Sequence, residues 1–213
     1  MDGFAIIGQC LDVSYVNRLC EEFSEAHGSQ RNILALPAIQ QLATSSSVRK
    51  IMETVLGHKC FATRGIFFNK TPSANWKIVW HQDLTIAVAQ RKEVDGFHSW
   101  TMKDGVQHVQ PPTELMSNML SIRLHLDESG PENAPLRVIA GSHSSGRFSP
   151  DQIVRWREKP ATTCCVPRGG ALLMRPMLLH ASSSCQLPKP RRVIHLEFAA
   201  TGLPCGLEWH ERI

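Results

Sequence analysis

Trp76-Lys77-Ile78-Val79-Trp80-His81-Gln82-Asp83 is the stretch on which the reading of this chain turns. Its aromatic and β-branched residues suit a strand, and alternate side chains of a strand share a face. His81 and Asp83 then project together while Gln82 points away. An imidazole beside a carboxylate supplies two of the three protein ligands of a facial metal site, with open positions left for substrate and oxygen. The third ligand would be a distant histidine. A lone His-x-Asp is common by chance, so its weight rests on what the rest of the chain supplies.

The chain has 213 residues, enough for one well-buried core and about one to one and a half domains. A hydrophobic fraction of 42% and a charged fraction of 20% describe an ordinary soluble globular protein. No apolar run approaches the roughly 18 residues of a membrane span, so no membrane role is expected. Met1-Asp2-Gly3-Phe4-Ala5-Ile6-Ile7-Gly8 has neither the basic start nor the cleavable apolar segment of a signal peptide. The net charge of +4 is mild and dispersed, and the pairs Arg91-Lys92 and Arg191-Arg192 are too short for a nucleic-acid stripe. Seven cysteines, none in a C-x-x-C pair, argue against a zinc ribbon or thioredoxin-type centre. They read as reduced thiols of a cytoplasmic protein.

Phe4 to Ile7 reads as a short strand. Asp12 can cap a helix carrying Val16, Leu19, Cys20 and Phe23 on one face. Residues 27 to 35 read as loop, Leu36 to Leu42 as a short helix, and Ser46 or Ser47 as the cap of another helix that ends at Gly57. From Lys59 the character changes to short β-like runs: 60–68, 76–84, 119–127, 136–139, 171–175 and 192–199, with one helix capped by Ser149. Helices followed by strands, without βαβ alternation, predict an antiparallel sandwich or barrel with helices packed outside. This gives one domain over 1–213, with residues 1–58 as helical support, 59–213 as the β core, and a loop insertion over about 86–117 that walls or covers a pocket.

A second pair, His125-Leu126-Asp127, competes with His81 and Asp83. On a strand, Leu120, Ile122, Leu124 and Leu126 would face one way and Ser121, Arg123, His125 and Asp127 the other. Spacing leaves both pairs open. His180, where the run Ala171–Leu179 gives way to Ala181-Ser182-Ser183-Ser184, is the best third ligand. Arg191 follows eleven residues later. Inside a barrel it would require an anion, and a guanidinium fork suits a carboxylate. The alternative is that Arg191 and Arg192 are a solvated pair.

Several motifs together resemble the phytanoyl-CoA dioxygenase family of Fe(II)/2-oxoglutarate-dependent oxygenases. Asp2-Gly3-Phe4-Ala5-Ile6-Ile7 looks like the family's opening, and Trp80-His81-Gln82-Asp83 its W-H-Q-D element. His125-Leu126-Asp127 and Glu132-Asn133-Ala134-Pro135-Leu136 through Gly141-Ser142-His143 resemble its H-L-D…E-N-G-P-L…P-G-S-H stretch. Gly170 to His180, with Ser182 and Arg191, looks like the closing G…H-x-S…R. The resemblance implies a mainly β, double-stranded β-helix (jelly-roll, cupin-like) core with flanking helices. It implies His81, Asp83 and His180 as ligands of Fe(II), with 2-oxoglutarate and O2 as cosubstrates. Arg191 and Ser182 match the residues that hold the distal carboxylate of 2-oxoglutarate, and Trp100 lies near a cosubstrate-contacting tryptophan. His125, Asp127 and His143 match non-ligands. Ala134, Ala140 and Ala171 depart from the usual Gly, Pro and Asp, all in expected turns.

The implied activity is hydroxylation of a small molecule with release of succinate and CO2. A carboxylate at Asp83, where related halogenases carry a small residue, favours hydroxylation or a related oxidation. The alternative readings are a non-oxidative cupin-like metalloprotein, such as an isomerase or metal binder, and a binding module without turnover. The metalloprotein has no need of a dicarboxylate anchor, so Arg191 discriminates against it, and the binding module, which keeps the barrel, would release no succinate with any substrate. Arg64, Lys70 and Arg123 can approach the pocket and would suit an acidic or acyl-type substrate.

Overall fold

The computed structural model describes residues 1–26, 28–71, 76–185 and 190–213. Three helices come early. Helix α1 (Val13–Glu22) is capped by Asp12, which accepts from the Tyr15 backbone N–H at 2.7 Å. Helix α2 (Pro37–Thr44) starts on its proline, and α3 (Ser46–Leu56) ends at Gly57 in a positive-φ conformation. The cap of α3 is Ser45 rather than Ser46 or Ser47, because the hydroxyl that reaches the Val48 N–H is the one just before the first helical residue. Two short helices follow later, α4 (Thr113–Ser117) and α5 (Pro150–Trp156), the latter closed by a Ser149–Gln152 capping box.

The strands run β1 (Phe4–Ile7), β2 (Gly28–Arg31), β3 (Phe61–Lys70), β4 (Ile78–His81), β5 (Ile86–Val88), β6 (His98–Lys103) and β7 (Val106–Gln110). Then come β8 (Met119–His125), β9 (Leu136–Val138), β10 (Thr162–Cys164), β11 (Ala171–Met174), β12 (His180–Ser182) and β13 (Arg191–Ala199). They form a six-stranded sheet, β1-β11-β8-β13-β3-β2, and a four-stranded sheet, β10-β9-β12-β4, with antiparallel pairing in both. The architecture is mainly β with flanking helices, a jelly-roll of the cupin-like kind.

Period-two alternation gives the large sheet two different faces. Leu120, Ile122, Leu124, Ile194, Leu196 and Phe198 point outward and pack against Leu19, Phe23, Ile39, Leu42, Val48 and Met52 of the helical layer. Phe23 stacks on Phe67 with ring centroids 4.2 Å apart. Between the sheets the interior divides. One part is dry, filled by Leu136, Val138, Leu172, Met174 and Leu178; the other is polar and holds the site described below.

Three expectations change. Residues 28–35 carry β2 and a short 3-10 turn, Ile33–Ala35, rather than loop, because β2 pairs with the exposed edge of β3; His27, the first residue of that expected loop, lies outside the described residues. The segment 86–117 is a third sheet, β5-β7-β6, followed by α4. β5 has only three residues, Ile86–Val88, and β6 and β7 mix polar with apolar residues, so the sequence reads as loop. They hold because Ile86, Val88, Phe97 and Val109 make a separate core with Leu207 and Trp209 of the C-terminal segment. Ala171 opens β11, paired with Ile7 and Leu124, instead of lying in a turn.

Phe67 is fully buried at the seam between the large sheet and α1. Phe67→Ala should lower unfolding stability by about 3–5 kcal/mol, the range for emptying a packed aromatic site. Urea denaturation checks it, and a loss under about 1 kcal/mol would mean the helices do not stabilise the sheet as described.

Candidate metal centre and its cavity

His81 and His180 are cross-strand partners on β4 and β12, the antiparallel pair at the edge of the smaller sheet. Their rings lie 4.2 Å apart between centroids. Asp83 follows the end of β4 and is pinned by its backbone N–H, which donates to the Pro176 carbonyl at 2.9 Å. One carboxylate oxygen lies 3.8 Å from His81 Nε2 and the other 3.7 Å from His180 Nε2. The three donor atoms lie within 4.8 Å of one another.

The other nitrogen of each imidazole decides what Nε2 can do. His81 Nδ1 lies 2.9 Å from the Val79 carbonyl and His180 Nδ1 lies 2.8 Å from the Leu178 carbonyl. A carbonyl only accepts, so Nδ1 carries the proton and Nε2 presents its lone pair beside Asp83. Burial opposes the charge on Asp83, but His180, His195, His81 and Arg64 outweigh it and hold its pKa down to about 2. Burial lowers His180 to about 4 despite the pull of Asp83. At neutral pH the carboxylate is ionised and the His180 imidazole neutral, the states a metal ion needs. Two imidazoles and a carboxylate on one side of a cavity form a donor set that fits Fe(II).

Gln82 points away, as strand alternation requires, and is fully engaged. It donates to the Gly146 and Met177 carbonyls at 2.8 and 2.7 Å and accepts from the Phe148 N–H at 2.8 Å. It thereby ties two loops to the strand end that bears His81 and Asp83. Between His180–His81 and Ser182–Ile78 the register shifts, leaving an extra residue on β4. This bulge turns both Ile78 and His81 toward the cavity, which plain alternation would not do.

Across the cavity the large sheet presents Arg64, Phe68, Arg123, Arg191, His195 and Glu197. Arg191 is buried and its Nη1 donates to the Ala134 and Asn133 carbonyls, while its Nε has no partner among the described residues. Ala134 is in the left-handed region at φ 49, so the position where the family usually has glycine is the one whose carbonyl receives Arg191. Lys70 pairs in register with Arg191 and donates to Ser182 Oγ at 3.2 Å and the Ser183 carbonyl at 2.9 Å. Burial and the nearby Arg191 lower its pKa to about 8.

The rival pair separates. Asp127 lies past the end of β8 and holds Arg192 in a two-point ion pair, both contacts 2.8 Å, while His125 is buried with neither ring nitrogen partnered among the described residues. His143 packs against Gly3, beside a wider apolar groove of about 500 Å³ that contains none of the three donors. Trp100 is not brought to the cavity. It packs on the core of the third sheet with Arg91 over its ring at 5.6 Å, and a register shift in β6 sets its direction. The tryptophan that lines the cavity is Trp76, with Lys70 5.6 Å from its ring centroid. Sequence reasoning missed Trp76, Phe68, His195 and Glu197. The alternation Arg191, Val193, His195, Glu197 on one face of β13 was the available signal for the last two.

Residues 1–193 match the family model described as Phytanoyl-CoA dioxygenase (PhyH). No curated protein matches the sequence. Among solved structures, EctD from S. alaskensis with 2-oxoglutarate and 5-hydroxyectoine is similar at a TM-score of 0.71 and 19% identity, over 93% of this chain and 72% of that one. HygX from Streptomyces hygroscopicus with nickel and 2-oxoglutarate bound is similar at 0.66 and 16%, over 94% and 83%. The 2-oxoglutarate-dependent epimerase SnoN from nogalamycin biosynthesis is similar at 0.68 and 15%, over 92% and 77%.

Burial lowers the pKa of His108 to about 4, of His125 to about 3 and of His180 to about 4. In the unfolded chain a histidine takes up its proton near pH 6.5. Between these values the unfolded state binds more protons, so stability falls as pH is lowered through that window. The metal-free protein should melt at a lower temperature at pH 5 than at pH 7.5, with net proton uptake on unfolding. Calorimetry in buffers of different ionisation enthalpy measures both, and a flat profile would contradict neutral buried imidazoles.

Proposed function

The chain belongs to the phytanoyl-CoA dioxygenase family, non-haem iron enzymes dependent on 2-oxoglutarate, and on that premise we propose that it hydroxylates a small molecule while 2-oxoglutarate is converted to succinate and CO2. The observation that carries this reading is the convergence of His81 Nε2, His180 Nε2 and Asp83, opposite a buried arginine whose Nε has no partner among the described residues. Under it, His81, Asp83 and His180 hold Fe(II), and Arg191 receives the distal carboxylate of 2-oxoglutarate. Ser182 and Lys70 stand beside that carboxylate, with the Ser182 hydroxyl fixed by the lysine. Trp100 is no part of this proposal.

Fe(II), when bound, supplies the oxygen activation that couples decarboxylation of the cosubstrate to oxidation of a substrate C–H bond. The residues of the chain bind and orient. The two Nδ1–H···O=C contacts keep the imidazoles from rotating, so the ligands do not have to reorganise when metal arrives. Arg191, backed by Lys70, gives the cosubstrate its direction by taking the plain carboxylate and leaving the 2-oxo acid end toward the histidines and Asp83. Ile66, Phe68, Trp76 and Leu136 narrow the cavity and displace water from around the reacting groups. A non-oxidative metalloprotein has no use for the Arg191–Lys70–Ser182 cluster.

Anaerobic addition of Fe(II) and 2-oxoglutarate to the apoprotein should produce a visible metal-to-ligand charge-transfer band. Asp83→Ala should abolish both the band and substrate-dependent succinate formation. Arg191→Ala should raise the 2-oxoglutarate concentration needed by about 10- to 100-fold, the range for a lost charge-assisted hydrogen bond. Wild-type turnover in Asp83→Ala would sink the assignment.

A further inference from the structure

Of the three guanidinium groups lining the cavity, Arg191 is taken by the cosubstrate reading and Arg64 is paired with Glu197, which leaves Arg123. Arg123 stands on β8, directly across from His195 of β13, four residues along that strand from Arg191. That is about 13 Å of backbone at roughly 3.3 Å per residue. Arg123 is only 9% exposed. Its Nη1 donates to His195 Nδ1 at 3.2 Å, its guanidinium carbon lies 5.1 Å from the Phe68 ring centroid, and its Nε has no partner among the described residues. His195 in turn donates through Nε2 to Glu197 at 3.4 Å, and Glu197 also accepts from Arg64 at 3.2 Å. The one carboxylate in this row is therefore taken by Arg64. Arg123 is left with a neutral acceptor and an aromatic face, and forms no ion pair among the described residues.

A buried charge without a counter-charge costs several kcal/mol, so a folded protein that retains one has a use for it. Charge counting says what the use is. Under the cosubstrate reading, on which this inference rests, the dianion is answered by Arg191 and Lys70, and Arg64 is cancelled by Glu197. A divalent metal exceeds the single charge of Asp83. The loaded cavity therefore stays positive, and Arg123 is its unanswered cation. We propose that Arg123 is the docking point for an oxyanion of the substrate, so that the molecule oxidised is an acid carrying a carboxylate or phosphate group. His195 and Glu197 act as positioning residues that hold the guanidinium toward the cavity, and Phe68 supports its face. Half-buried Lys103, which shares the electrostatic neighbourhood of Arg64, Asp83 and Glu197, adds positive potential. A neutral or cationic substrate would leave Arg123 desolvated and unpaired, which selects against it by the same physics.

The test uses the anaerobic Fe(II)·2-oxoglutarate protein at saturating cosubstrate, with propionate, inorganic phosphate and neutral propionamide as probes. The charge-transfer band should shift saturably with propionate or phosphate while keeping its intensity, and should ignore propionamide. Arg123→Gln should weaken the anion effect at least 10-fold with less than a 3-fold change in 2-oxoglutarate affinity. Arg123→Lys, which keeps the charge and guards against a folding defect, should retain most of it. A wild-type response to propionamide equal to that to propionate overturns the inference. So does an Arg123→Gln protein that loses 2-oxoglutarate affinity as severely as Arg191→Ala, because Arg123 would then serve the cosubstrate. Absence of the band in the wild-type protein removes the cosubstrate reading and this inference together, which separates the two failures.

Discussion

A β-sandwich that lines part of its interior with arginines, histidines and carboxylates cannot draw its hydrophobic stability from that interior. The rest of this structure follows from that constraint. Along β13, Arg191, His195 and Glu197 point into the sandwich while Ile194, Leu196 and Phe198 point out. The outward set becomes useful only when α1, α2 and α3 cover it. The helical layer is thus the main apolar core, and the site occupies the face that a simpler sandwich would have filled with leucine and valine. Register carries much of the burden, because a slip of one residue would exchange the two faces. Strand β13 is paired along its length with β3 on one side and over seven residues with β8 on the other, which resists such a slip.

The smaller sheet has a different task. It is short, and β4 lies at its edge. Its stiffness at His81, Asp83 and His180 comes from hydrogen bonds outside the ladder: the two imidazole–carbonyl contacts, the Asp83 N–H to Pro176, and the three bonds of Gln82. Backbone carbonyls make dependable orienting partners here because a strand fixes them in place. A side-chain partner would add rotatable bonds and one more polar group to satisfy.

What the sequence made legible follows from the same division. The outward leucines and isoleucines of β8 and the caps of α1 and α5 are local signals, and they predict elements to within a few residues. The third sheet was illegible because its core is completed by Leu207 and Trp209, about a hundred residues further on in the chain. Trp100 misled for a related reason: an aromatic in a polar stretch looks like a pocket wall, and the shift in β6 that aims it elsewhere has no local signature. Trp76 stood in the quoted stretch, but only the bulge in β4 reveals that it shares the cavity with His81.

Two ambiguities in the sequence, between the His-x-Asp pairs and between the adjacent arginines, turn out to be one. Arg191 and Arg192 are neighbours on a strand, so they must face opposite ways. Arg192 faces out and is met by Asp127, which has left β8 and is no longer bound to the inward parity of Arg123 and His125. That ion pair occupies the carboxylate of the second His-x-Asp and the guanidinium of the second arginine at once. What remains inward is Arg191 without a carboxylate and His125 without a carboxylate beside it. Asp83, by contrast, has only imidazoles at its oxygens among the described residues. The sequence presents two equivalent motifs and two equivalent arginines; strand parity and one outward salt bridge put His81 and Asp83, not His125 and Asp127, beside another histidine, and Arg191, not Arg192, beside Lys70.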